Sequence, residues 1–85
     1  MYKIKTRNRK IKKVLEEYIS LRNGIKDKLK RLKENPQKEN GTHPLKGPLA
    51  GKWACWLGSN IRMIYKIDDS ANMINVESVG SHKIY

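Results

Sequence analysis

The sequence predicts an α+β fold: a single small domain, residues 1–85, in the order β-α-α-β-β-β. An antiparallel twisted sheet would carry a two-helix hairpin on one face. Three observations predict it. Apolar residues alternate at the start and in three later runs, whereas between these regions they recur at helical spacing. The turns between the last three runs are short, which favours an antiparallel meander. Finally, 85 residues leave room for only one small core.

The first half of the chain contains one strand and two helices. Alternation in residues 1–6 predicts a short strand with a basic outer face. Residues 8–22 form one apolar stripe at helical spacing. Asn23–Gly24 ends this helix, because both residues tolerate the left-handed cap conformation. A second helix over 25–35 ends before Pro36, since proline disfavours helical backbone in the residue that precedes it. The short connection makes the two helices a hairpin.

The second half of the chain is a loop followed by three strands. Residues 36–51 hold three prolines and three glycines without periodicity, which predicts an irregular loop, and a loop of this length is typically functional or mobile. Strands are predicted at 52–57, 61–67 and 73–80, where apolar residues alternate or cluster between turn residues. The helices should cover one sheet face, because the sheet must bury at least one side.

The composition is strongly basic. Nineteen Lys and Arg residues against eight Asp and Glu give a formal net charge of +11. Such a charge predicts an acidic partner, which is nucleic acid, an anionic membrane surface or an acidic protein. No apolar run approaches the roughly 20 residues of a membrane span, and the start of the chain lacks a signal peptide's apolar stretch. The sequence therefore predicts no membrane partner.

The only cysteine is Cys55. One thiol makes neither an internal disulfide nor a zinc-finger spacing, so we expect no metal or other cofactor. A small buried residue is the expected role of Cys55. A reducing, cytoplasmic location is the corresponding expectation.

Side-chain parity predicts a basic sheet face away from the helices. The larger apolar sets of the two middle strands should face the helices. That leaves Trp56, Arg62 and Lys66 on the uncovered face, where an indole beside a guanidinium suits RNA: the ring stacks on a base and the guanidinium binds a phosphate. Residues 40–67 contain no carboxylate, as a phosphate-facing surface requires. A packing role for Trp56 is the alternative.

Three motifs resemble the RelE/ParE superfamily of type II toxin–antitoxin toxins, in particular its RelE and YafQ-like branches. They are a His-x-Leu-x-Gly loop at residues 43–47, an Arg-x-x-Tyr strand at 62–65 and a Gly-x-His tail at 80–82. The resemblance covers the order of elements along the chain and is most specific over residues 43–85.

The resemblance implies a ribosome-dependent mRNA interferase. Such toxins enter the ribosomal A site of 70S-type ribosomes and cleave the mRNA without a metal, using the RNA's own 2′-hydroxyl as nucleophile. A small, acidic cognate antitoxin neutralises them. By this resemblance, Arg62 holds the phosphate, His82 is general acid or base, Tyr85 orients the scissile nucleotide and His43 is a second candidate catalytic group. With the face analysis, the expected RNA-binding residues are Lys46, Lys52, Trp56, Lys66 and Lys83.

Some features keep other functions open. The family's open-face lysines on the second predicted strand fall near Ala54 and Trp56 here, and only three positions separate His82 from Tyr85, where four are common in the YafQ-like tail. His43 is as consistent with a loop histidine held by hydrogen bonds as with a catalytic one. A ParE-type inhibitor of DNA gyrase without nuclease activity, and an inactive nucleic-acid-binding relic of the fold, are the alternative functions.

Overall fold

The computed structural model describes residues 1–38, 41–58 and 60–81. The elements follow the predicted order, with one short strand added before the meander. They are β1 (Lys3–Thr6), α1 (Arg9–Leu21), α2 (Ile25–Glu34), β2 (His43–Pro44), a 3-10 turn (Gly47–Leu49), β3 (Trp53–Trp56), β4 (Ile61–Asp68) and β5 (Met73–Ser81).

The five strands form one open sheet in the order β1-β5-β4-β3-β2. The pairs β2–β3, β3–β4 and β4–β5 are antiparallel, which confirms the meander. In contrast to the all-antiparallel expectation, β1 pairs with β5 in parallel, so the sheet is mixed. Two helices and a long loop separate β1 from the meander, and no tight turn therefore dictates an antiparallel direction. The α+β class is confirmed.

The helix boundaries follow from local capping. The Asn8 side chain caps α1 by accepting a hydrogen bond from the Ile11 amide at 2.9 Å. Gly24 has a φ of +93°, in the left-handed region that glycine tolerates, and α2 begins directly after it. The predicted break at Asn23–Gly24 and the end of α2 before Pro36 are both confirmed.

The core lies between the helices and one face of the sheet, as side-chain parity predicted. Met63 and Tyr65 of β4 and Leu32 of α2 are fully buried, and Cys55 of β3 is 1% exposed. Burial raises the pKa of the Cys55 thiol to about 12. The structural role expected for Cys55 is confirmed. The remaining buried members of this cluster are Leu15, Ile25, Leu29, Leu57, Ile61, Ile74, Val76 and Val79.

The predicted loop contains the added strand. His43 and Pro44 pair with Ala54 and Trp53, respectively, so β2 extends the sheet by a two-residue edge. No alternation predicts this strand, because two residues are too few to show a period. No helix in the described part of the chain is long and apolar enough to cross a membrane.

A buried hydroxyl ties the loop to the sheet. The Tyr65 hydroxyl donates to the Pro36 carbonyl at 2.6 Å. Because that bond uses the only hydroxyl proton of Tyr65, the Thr42 hydroxyl must be the donor in its 2.9 Å contact with the Tyr65 oxygen. The segment that leads into β2 is therefore anchored to the middle of β4.

Candidate nucleic-acid interface

On the open face of the sheet, opposite the helices, two rows of paired residues run across the strands. Directly paired residues of antiparallel strands point to the same face. One row runs His43, Ala54, Ile64 and Ser78 across β2, β3, β4 and β5. The next row runs Trp56, Arg62 and Gly80 across β3, β4 and β5. The predicted position of Trp56 and Arg62 on this face is confirmed by the strand register.

Arg62 and Trp56 are in direct contact. The guanidinium carbon of Arg62 lies 4.1 Å from the centroid of the Trp56 ring, within the range of a cation–π interaction. Both side chains are half-buried. On its other flank Arg62 pairs with Gly80, which has no side chain to cover it. The guanidinium therefore lies beside the Trp56 ring, and the strand partner on its other side is a glycine.

His43 lies on the same open face, and it is exposed. Its Nδ1 lies 3.3 Å from the Gly41 carbonyl oxygen. Because a carbonyl only accepts, this hydrogen bond requires a proton on Nδ1, and in the neutral ring Nε2 is then the proton acceptor. The Cα atoms of His43 and Arg62 should lie roughly 12 Å apart, because two strand spacings across the sheet and two residues along β4 separate them. This hydrogen bond is consistent with both hypotheses for His43, which are a catalytic group and a loop histidine held by hydrogen bonds.

The open face is not free of acids, which corrects the acid-free surface expected from residues 40–67. Glu77 lies on it, 2.6 Å from the Lys52 ammonium and 3.7 Å from that of Lys66. The hydrogen bond from Lys52 holds the pKa of Glu77 below its usual range, and the charges of Lys66 and Arg7 act in the same direction. Two predicted RNA-binding lysines therefore bind a carboxylate of the chain itself.

A β-bulge explains how Glu77 reaches these lysines. Ile64 pairs with Ser78, but the next residue, Tyr65, pairs with Val76. Glu77 is therefore an extra residue of β5, and the register shifts around it. The inserted residue changes the spacing of the buried side chains along β5, which is two from Ile74 to Val76 and three from Val76 to Val79.

Lys46, another predicted site residue, does not join these contacts. Lys46 is exposed at the start of the 3-10 turn. His82, Lys83 and Tyr85 lie outside the described residues, so their assignments stay predictions. Within the described ranges, no group of three or more His, Cys, Asp or Glu side chains could hold a metal ion.

Comparison with solved structures identifies the fold. The chain is similar to the YoeB/ParE toxin from Agrobacterium tumefaciens, with a TM-score of 0.76 and 20% identity over 94% of this chain and 98% of that one. A chain of the YoeB–YefM complex from Staphylococcus aureus gives a TM-score of 0.72 and 19% identity, over 96% of this chain and 98% of that one. YafQ from E. coli strain BL21(DE3) gives 0.68 and 21%, over 96% and 94%.

No protein-family model and no curated protein sequence matches the chain. The chain has the fold of toxins from toxin–antitoxin systems, which agrees with the resemblance of its motifs.

Proposed function

We propose that this protein is the toxin of a type II toxin–antitoxin system and acts as a ribosome-dependent endoribonuclease on mRNA. The observation that carries the proposal is the placement of Arg62 on the open face of this fold, beside Trp56 and opposite a glycine. A guanidinium is the side-chain group best suited to bind a phosphate through two parallel hydrogen bonds. The net charge of +11 favours the approach of RNA.

The proposed reaction is transesterification within the RNA. A general base removes the proton of the 2′-hydroxyl, the 2′-oxygen attacks the adjacent phosphorus, and the bond from phosphorus to the 5′-oxygen breaks. The leaving 5′-oxygen takes a proton from a general acid, and the other product ends in a 2′,3′-cyclic phosphate. Arg62 stabilises the negative charge that develops on the phosphoryl oxygens.

We assign His43 as the general base and His82 as the general acid. The hydrogen bond from Nδ1 to Gly41 leaves Nε2 of His43 as the atom that accepts a proton. In the sequence, His82 directly follows the last residue of β5 and is two positions from Gly80, the strand partner of Arg62. Tyr85 and Lys83 are proposed to contact the nucleotide beside the scissile bond, and Lys46 a neighbouring phosphate.

The proposed partner is an acidic antitoxin. The Staphylococcus aureus structures contain YoeB bound to YefM, and one is described as a heterotetrameric toxin–antitoxin complex. A strongly basic toxin of the same fold fits a partner of opposite charge. The ribosome and its mRNA are the proposed site of action.

The direct test is mRNA cleavage on translating ribosomes, with the cut mapped by primer extension and its 2′,3′-cyclic phosphate end identified chemically. We expect Arg62→Ala to lower the cleavage rate by about 10²-fold or more while the protein stays folded. Arg31→Ala removes the same charge from the exposed surface of α2 and should retain near-normal activity. Intact mRNA with folded protein, or inhibition of DNA gyrase supercoiling without RNA cleavage, would contradict the proposal.

A further inference from the structure

We propose that Trp56 is a positioning residue: its indole, fixed by the backbone of Gly41, sets the orientation of the Arg62 guanidinium. This inference deepens the proposed function, on which its catalytic consequence rests. It also changes the expected role of Trp56, which on this account supports the phosphate-binding group instead of stacking on an RNA base.

The first step is the register. Trp56 and Arg62 are direct partners on β3 and β4, so their side chains leave the sheet side by side on the same face. The register makes the two side chains neighbours, and the guanidinium carbon lies 4.1 Å from the ring centroid. Holding Arg62 against the ring restricts a side chain that otherwise has many rotamers, and so limits the orientations of its planar guanidinium.

The second step is the close approach of Gly41. A Cβ atom added to Gly41 would lie 3.1 Å from Cδ1 and 3.9 Å from Nε1 of Trp56. The five-membered part of the indole therefore lies against the backbone of the loop, where any larger residue would push on it. Gly41 also has a φ of +66°. Both conditions favour glycine at this position.

In the third step, Gly41 links His43 to the pair formed by Trp56 and Arg62. The Gly41 carbonyl accepts the hydrogen bond from His43, while the Cα side of the same residue contacts Trp56. The neighbouring Thr42 is anchored to the buried Tyr65 hydroxyl. A displacement of Gly41 would therefore move the His43 ring and the Trp56 ring together, and Arg62 would lose its aromatic support.

The chain supplies a matched pair of glycine variants. Gly47 has the same φ of +66° as Gly41, but nothing lies within 4 Å of a Cβ atom added to it. Gly41→Ala and Gly47→Ala therefore both place an alanine at a φ of +66°, and only the first pushes on Trp56. Any difference between them reports the contact with the indole.

The structural readout is the NMR signal of the Arg62 side chain, assigned by its disappearance in Arg62→Lys. A guanidinium over an indole experiences the ring current, so its δ-methylene and Nε–H signals should be displaced in the wild-type protein. We expect Trp56→Leu to abolish the displacement, Gly41→Ala to change it and Gly47→Ala to preserve it. Unchanged Arg62 signals in folded Trp56→Leu or Gly41→Ala would overturn the inference, and this readout does not depend on RNA cleavage.

The kinetic readout separates positioning from base stacking. We expect Trp56→Leu and Gly41→Ala to lower kcat about tenfold with little change in KM, and Trp56→Phe to recover most of the loss because a phenyl ring keeps the cation–π contact. A rise in KM with unchanged kcat in Trp56→Leu would instead assign the ring to RNA stacking and overturn the inference. If the wild-type protein cleaves no RNA, the proposed function fails, whereas the NMR comparison still decides the role of Trp56.

Discussion

The Lys52 ammonium lies 2.6 Å from a carboxylate oxygen of Glu77, across the intervening strand β4. The side chains are half-buried, at 25% and 19% exposure, and Lys66 approaches the same carboxylate. This ion pair partly neutralises the surface proposed to bind RNA. Glu77 therefore has two separable roles, one in stability and one in the charge of the open face.

Glu77→Gln should destabilise the protein more at neutral pH than in acid. The pKa of Glu77 is lowered in the folded protein from a usual value of 4.5. Its contribution to stability is therefore fully present above about pH 5 and is lost as the pH falls through the lowered folded value. We expect urea unfolding to show a deficit of up to about 1 kcal/mol at pH 7 that shrinks as the pH is lowered below 4.5.

The matched control for this stability measurement is Glu17→Gln, which removes a carboxylate from the exposed surface of α1. Its stability difference should be small at neutral and at acid pH. A deficit in Glu77→Gln that is the same at pH 7 and pH 3 would show that the ion pair is not its cause.

Glu77→Gln should also strengthen RNA binding. Without the carboxylate, Lys52 and Lys66 become available to phosphates, so affinity for a 2′-O-methylated oligonucleotide should rise several-fold and the salt dependence should steepen by about one phosphate contact. Fluorescence anisotropy at several salt concentrations measures both. Glu17→Gln changes the net charge equally, and the same gain in that variant would assign the effect to overall charge.

Tyr65→Phe should destabilise the fold and loosen the loop. The change removes the donor to the buried Pro36 carbonyl and the acceptor of Thr42. We expect a loss of about 1–3 kcal/mol in the free energy of unfolding, because a buried polar group loses its partner. Tyr18→Phe, on the half-buried side of α1, is the control. Equal stability of the two variants would argue against the anchoring role of Tyr65.

Cys55 should resist alkylation in the native protein. Burial leaves its thiol 1% exposed and raises its pKa to about 12, so almost no thiolate exists at pH 8. Iodoacetamide followed by mass spectrometry should show little modification until urea unfolds the chain, and then one adduct. Rapid stoichiometric labelling of the native protein would contradict the burial of this thiol.

The sequence predicted well what local patterns control. The apolar stripe of α1 and the alternation of β3 and β4 identified the elements and their buried faces, since periodicities of 3.6 and 2 determine which side chains share a side. The same parity placed Trp56 and Arg62 on one face. Neither result required knowledge of distant contacts.

The sequence did not predict features that depend on residues far apart in the chain. The parallel pairing of β1 with β5 joins residues about seventy positions apart, and the two-residue β2 is too short for any period. The bulge at Glu77 shifts the register of β5, so the residues that follow it change sides relative to strict alternation. In these cases the hydrogen-bond partners of the backbone depend on which strands become neighbours in the assembled sheet.

The sequence by itself determined the α+β class, the two helices with their ends, the meander and the basic open face with Arg62. The tertiary structure alone decided that Glu77 neutralises part of that face, that Gly41 lies against Trp56 and that the Trp56 ring lies beside the Arg62 guanidinium at 4.1 Å. The physical reason is range: periodicity is a property of neighbouring residues, whereas charge pairing and ring packing depend on strand order and register. Those emerge only when the sheet is assembled.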